Sequence, residues 1–115
     1  MTHDAWREQL RRGGLDLAIL ATLARGPRYG LDIIRDLEAR SDLVVTEGTV
    51  YPILGRLAGE GLLAAEWVHG EAPHPRKYYR ATRKGRAALA EMSDYWRSFS
   101  ESISRLLRDA EGGQS

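Results

Sequence analysis

The last third of the chain carries the tightest constraint on what it can fold into. Leu89, Met92, Trp96, Phe99, Ile103 and Leu106 recur at spacings of 3, 4, 3, 4 and 3 residues, an apolar a/d seam held for about two and a half heptads. Thr82 stands where an N-cap is needed, and a helix over 83–109 reaches about 39 Å at 1.5 Å per residue. A single-domain core could use such a stripe, but a helix this long outreaches a domain of 115 residues. The seam therefore calls for a partner helix, most simply that of a second copy about a two-fold axis.

That length allows one domain with a real core, and 43% hydrophobic with 29% charged residues is an ordinary soluble balance. The absence of cysteine excludes disulfides, thiolate catalysis and most zinc motifs, and His3, His69 and His74 show no metal-ligand spacing, so no cofactor and no metal are expected. No nucleophile stands with a base, and there is no phosphate loop and no motif of paired acids, which argues against an enzyme. No apolar run approaches a membrane span, and the polar start MTHDAWREQLRR lacks the apolar stretch of a signal peptide; a cytoplasmic protein without a membrane partner is expected. The net charge of +1 conceals an asymmetry, since residues 1–86 hold 14 basic and 11 acidic side chains against 3 and 5 in the remainder. Six of the basic groups fall in RKYYRATRKGR, residues 76–86, with no acid among them.

Upstream of the seam the periodicity is helical three times and then alternates. Ala5 to Arg12 predicts a short helix, with Trp6 and Leu10 one turn apart and Gly13-Gly14 ending it; alone it is too weak, so it must dock on the long C-terminal helix of its own or a partner subunit. Leu15 to Ala24 is apolar nearly all round and reads as the buried centre, stopped by Arg25-Gly26-Pro27. Tyr29 to Arg40 is amphipathic, with Leu31, Ile34 and Leu37 inward and Arg35, Asp36 and Glu38 outward. Asp42 to Val45 is a connector or a short paired segment. Thr46 then caps a third helix, its hydroxyl placed to accept the backbone N–H of Gly48 or Thr49, with Val50, Ile53, Leu54 and Leu57 on the buried face. Thr49, Tyr51, Pro52, Gly55 and Arg56 are left on a short, non-acidic outer face; Pro52 kinks the first turns, and Gly59 and Gly61 offer left-handed positions that end the helix. LLAAEWVH and RKYYRAT read as two antiparallel strands across GEAPHP, with Leu63, Trp67 and either Tyr78 or Tyr79 facing the helices.

Three helices followed by a hairpin with a basic second strand is the layout of a winged helix-turn-helix, so the fold class expected is mainly α with a small β-hairpin plus a long C-terminal dimerisation helix. The organisation expected is an N-terminal helix over 1–14 docking on the dimer helix, a DNA-binding body over 15–82, the dimerisation helix over 83–109 and a disordered tail over 110–115. In such a fold the third helix enters the major groove and the hairpin lies on the adjacent backbone.

GTVYPILGRL from Gly48 to Leu57, GLL from Gly61 to Leu63 and RKYYRATRKG from Arg76 to Gly85 resemble the PadR family of transcriptional regulators. The likeness is close over residues 15–86 and extends over 87–108 in seam pattern only. Gly55 and Ala58 depart from it, standing where the family often has a long polar or basic residue and an acidic one. The resemblance implies a homodimer on double-stranded operator DNA, usually a repressor, with Tyr29, Thr49, Tyr51 and Arg56 contacting DNA from the helical part and Arg76, Lys77 and Tyr78 from the wing. It implies dimer contacts at Trp6, Leu89, Met92, Trp96, Phe99, Ile103 and Leu106. With its single C-terminal helix the chain is similar to a short, multidrug-binding form of the family, which implies a planar aromatic effector between paired Trp96 side chains, with Trp67, Met92 and Phe99 beside them. From the residues alone, Trp96 either leaves a gap in the seam beside the small Ser93 and Ser100 or packs on Trp6 and fills it, and Trp67 is either packing or ligand contact. The rival to DNA binding is a winged-helix module that binds protein, which has no general need to keep residues 76–86 free of acids.

Overall fold

The computed structural model describes residues 3–70 and 74–112. Its elements in order are α1 (His3–Ala24), β1 (Arg28–Tyr29), α2 (Gly30–Arg40), α3 (Glu47–Gly59), β2 (Leu63–Val68), β3 (Arg76–Ala81) and α4 (Arg83–Gly112). The strands form one antiparallel sheet in the order β1-β3-β2, so the architecture is mainly helical with a small sheet and a long last helix, as expected. Residues 71–73 of the anticipated turn lie outside the described residues.

The core is built where the periodicity places it. Leu15, Ile19, Leu20 and Leu23 of α1 meet Ile33, Ile34 and Leu37 of α2, Val50, Leu54 and Leu57 of α3, and Leu63, Tyr79 and Ala81 of the sheet. Each such aliphatic side chain contributes about 1.5–3 kcal/mol by leaving water. The buried hydroxyl of Thr22 in this layer donates to the Ala18 carbonyl at 2.9 Å, so its polarity is satisfied within α1.

The end of α3 and the start of α4 are stapled together. Leu62 N–H donates to the Leu57 carbonyl and Gly61 N–H to the Ala58 carbonyl, both at 3.0 Å, with Gly61 at φ +81°; this pair of bonds closes a helix on a left-handed residue. Thr82 caps α4 as expected, its hydroxyl accepting Gly85 N–H at 3.0 Å while donating to the Gly61 carbonyl at 2.7 Å. Lys84 Nζ donates to the Glu60 carbonyl at 2.9 Å, and a β-carbon on Gly85 would run into the Leu62 carbonyl. At the other end of the body Arg28 donates to the carbonyls of Thr22 and Gly26, and Arg86 of α4 donates to Ala24, closing the carbonyl end of α1.

Several local expectations are corrected. Gly13-Gly14 does not end a helix, because α1 runs unbroken from His3 to Ala24; nothing lies within 4 Å of a β-carbon built on either glycine, so the helix passes through them in open solvent. The first turns of α1 are exposed, with Trp6 and Leu10 uncovered, and the subunit's own α4 does not shelter them. The hairpin is joined by a third strand, where Arg28 pairs with Tyr79 and Tyr29 with Tyr78; two residues are too few to show alternation. That strand takes Tyr29 out of α2, which starts at Gly30. In α2 it is Ile33 that is fully buried, whereas Leu31 is 37% exposed. Thr46 adopts the extended N-cap backbone but makes no side-chain cap bond, and its hydroxyl lies 3.3 Å from that of Thr49 instead. Gly59 stays inside α3, and only Gly61 takes the left-handed conformation. Trp67 lies on the same face of the sheet as Leu63 and Tyr79 but does not pack on the helices; it is 62% exposed, and Tyr79 fills the inner position beside Leu63. Residues 110–112, expected to begin a tail, continue α4, and 113–115 lie outside the described residues.

Candidate nucleic-acid interface

Turning 100° per residue and burying Val50, Leu54 and Leu57, α3 points Gly48, Pro52, Gly55 and Gly59 directly away from the core. The middle of its outer face is therefore nearly bare backbone, rimmed by Tyr51 on one side and by Thr49 and Arg56 on the other. No packing demand accounts for Gly55 or Gly59, since a β-carbon at either meets nothing within 4 Å. Tyr51 has a fixed place: its ring lies where a β-carbon on Gly30 would be, so the absence of a side chain at the start of α2 lets the tyrosine lie across it.

Beside this rim the sheet assembles a second group. Residues two apart in β3 share a face, so Arg76, Tyr78 and Arg80 lie on one side and Lys77, Tyr79 and Ala81 on the other. On the first side Tyr29 meets Tyr78 edge to face, with ring centres 5.5 Å apart, and the Arg76 guanidinium sits 4.4 Å above the Tyr29 ring. Arg35 of α2 approaches the Tyr29 hydroxyl at 3.5 Å. Two cations thus converge on one aromatic step between α2 and the hairpin. On the second side Lys77 Nζ lies 5.8 Å from both the Trp67 and Tyr79 rings. Burial, with a smaller contribution from Tyr51, raises the Tyr79 hydroxyl above its ordinary pKa and keeps it a neutral core group.

The seven residues expected at DNA thus fall into separate groups. Tyr29, Arg76 and Tyr78 are brought together, Tyr51 lies over the start of α2, and Lys77 is on the opposite face of the strand from Arg76. Thr49 borders a groove that also runs past Arg7, Arg11 and Thr46, and Arg56 borders the same groove. Arg56 is paired to Asp16 of α1 at 2.7 Å and to Glu60 at 3.3 Å. Arg35 was missed from sequence, where it reads as one more outward charge on an amphipathic helix; so was Asp16, whose partner is 40 residues away.

The seam divides in two. Leu89 and Met92 pack against the core of their own subunit, whereas Trp96 is 47% exposed, and Phe99, Ile103 and Leu106 are exposed as well. Phe99 stacks with Tyr95 at 5.9 Å, and within the subunit Trp96 and Trp6 form no ring pair. Among the described residues no group of three His, Asp or Glu could hold a metal ion, and no helix is long and apolar enough to cross a membrane.

Comparison with known proteins gives this geometry its place. Residues 19–91 match the model of the transcriptional regulator PadR-like family. The chain is 37% identical over 109 residues to the transcriptional regulator Rv3488 of Mycobacterium tuberculosis, covering 93% of this chain and 92% of that one. Among solved structures it resembles a PadR family transcriptional regulator from Eggerthella lenta, with a TM-score of 0.80 and 36% identity over 90% of both chains. It also resembles a PadR-like transcriptional regulator from Bacillus cereus, with a TM-score of 0.77 and 30% identity over 87% of this chain and 97% of the other. The body that buries α1 to α3 under a small sheet, and the last helix that leaves it, are accordingly those of a winged-helix DNA-binding regulator, and the chain belongs to the PadR-like family of transcriptional regulators.

Proposed function

We propose that two copies of this chain, joined along α4, bind operator DNA as a repressor and let go when a planar aromatic molecule enters between them. The observation that carries the DNA part of this reading is the Tyr29, Tyr78, Arg76 and Arg35 cluster beside the bare outer face of α3. α3 would lie in the major groove, where its exposed glycines allow close approach and Thr49 and Tyr51 offer hydroxyls, while Arg76 and Lys77 meet the flanking phosphates. Stacking on Tyr29 holds the Arg76 guanidinium in place before DNA arrives, so less side-chain freedom is lost on binding.

The dimer and effector parts of the reading rest on the seam. Trp96 to Leu106 leaves large apolar side chains in water on a helix that has left its own core, and a second copy of the same stripe would cover them. Paired Trp96 rings about a two-fold axis suit one flat ligand, and Trp67 stands exposed on the wing as a further aromatic surface.

Measuring duplex affinity against salt tests the DNA reading. Arg76→Ala with Lys77→Ala should weaken binding to every sequence and flatten the plot of log affinity against log salt by about one unit per lost phosphate contact. Equal slopes for the wild type and the double variant would refute the wing assignment, and a wild type without salt-dependent duplex binding would favour a protein-binding module.

A further inference from the structure

Arg56 stands on the recognition helix, yet its charge is already engaged inside the protein. Nη2 donates to Asp16 Oδ1 at 2.7 Å, and Nη1 to Glu60 Oε1 at 3.3 Å. The Asp16 side chain is only 19% exposed, and it leaves α1 next to Leu15, where that helix enters the core. The hydrogen bond to Asp16 first, and its charge second, push the Arg56 guanidinium above its usual pKa, so the arginine is held charged by an acid of its own chain. One guanidinium between two carboxylates leaves a local charge of minus one, which repels a phosphate instead of drawing it in. To reach DNA the side chain would have to abandon a short charge-assisted bond that joins segments 40 residues apart.

We propose that Arg56 is a positioning residue, fixing the tilt of α3 against α1 through Asp16, and that it is not a phosphate contact. The proposal rests on the DNA-binding reading above and assigns Arg56 a role within it. The link matters because polar side-chain contacts on that side of α3 are few: the Thr49 hydroxyl meets only that of Thr46, and an open groove runs between the first turns of α1 and α3. Helix α1 carries the exposed arm of Trp6 and Leu10, and it also packs beside α4, so a bond from α3 to α1 ties the reading helix to the frame that would set the spacing of two subunits.

The two roles predict opposite signs for one substitution. A duplex selected from a random pool on the wild-type protein is titrated with wild type, Asp16→Asn, Arg56→Gln and the double variant across a salt series, with near-ultraviolet circular dichroism confirming that each is folded. For a positioning pair, each single variant weakens binding by about two- to fivefold, the size expected for a partly exposed ion pair. The double variant is then no worse than either single one, and all salt slopes equal that of the wild type. Tighter binding by Asp16→Asn, which would release Arg56 toward phosphate, overturns the proposal. So does a slope flattened by about one unit in Arg56→Gln, the loss expected of a phosphate contact. Unchanged affinity in both single variants overturns it as well. Failure of the DNA reading itself is seen separately, as absence of salt-dependent binding in the wild type, and takes the proposal with it.

Discussion

Tyr51 shows how one residue's place depends on another that has no side chain. Its ring occupies the space of a β-carbon on Gly30, and Gly30 itself has ordinary backbone angles, so the glycine is needed for clearance and not for conformation. Gly30→Ala should therefore push the far end of the tyrosine outward instead of unfolding the domain, since the atoms met belong to the hydroxyl end of the ring. The expected result is a stability loss of about 1 kcal/mol and a larger relative loss of duplex affinity; shortening Tyr51 to Leu should restore the stability in part and leave the affinity low, because the hydroxyl is gone. Denaturant titration and duplex titration of the three proteins check it, and an affinity loss that tracks stability alone would dismiss the placement. At this scale the sequence is read well wherever a contact is local. The burial of Val50, Leu54 and Leu57 follows from their spacing. It is read poorly where a polar side chain chooses between partners: Thr46 passes over the backbone N–H groups for the Thr49 hydroxyl, and Arg56 takes Asp16 across 40 residues, a choice with no local signature.

Glycine pairs are the weakest punctuation in a helical pattern, and α1 shows why. Gly13 and Gly14 lack side chains to stabilise a turn, but neither is forced out of helical angles, and the strongly buried Leu15 to Leu23 segment already supplies the nucleus on which the upstream turns propagate. A break expected from composition was thus overridden by its neighbour. Because a β-carbon at either position meets open space, Gly13→Ala with Gly14→Ala should stabilise the chain by about 1–2 kcal/mol, through helix propensity alone. Thermal and denaturant unfolding of the double variant would show it, and destabilisation would mean that the two glycines meet a neighbour absent from the subunit, such as a second copy. The same reasoning explains β1, which is invisible in the sequence. Its two residues are extended because Tyr78 and Tyr79 of β3 offer them an edge to pair with, not because Arg28 and Tyr29 carry any strand pattern. Its register is what sets Tyr29 against Tyr78 and so creates the aromatic step under Arg76.

For the whole molecule the decisive quantity is shape. The radius of gyration is 16.9 Å with extents of 62 × 29 × 24 Å, whereas a compact chain of this length has a radius of about 13 Å. The excess lies in α4 beyond Met92 and in the first turns of α1, two segments whose large apolar residues stay about half exposed or more. The seam spacing made this legible in advance, but spacing does not say where a stripe passes from its own core to open solvent. Leu89 and Met92 proved to belong to the body, which leaves Trp96 as the first side chain of the free stretch. That division sharpens the test of assembly. Phe99→Asp with Ile103→Asp places charges on the uncovered stretch without touching the core, so the variant should keep its helical circular dichroism and its cooperative unfolding of the body while sedimenting as a monomer and losing most duplex affinity. Trp96→Ala removes a ring at the junction and should behave differently. It should stay dimeric and bind duplex within a few-fold of wild type, but planar aromatic cations should no longer quench tryptophan fluorescence saturably or weaken its hold on DNA. The contrast follows from linkage, since a ligand that prefers one spacing of the two helices can shift the spacing of the two reading heads only if it binds between them. A wild-type protein that is monomeric at micromolar concentration, or a Trp96→Ala variant that still shows saturable quenching, would place the apolar stretch or the effector elsewhere.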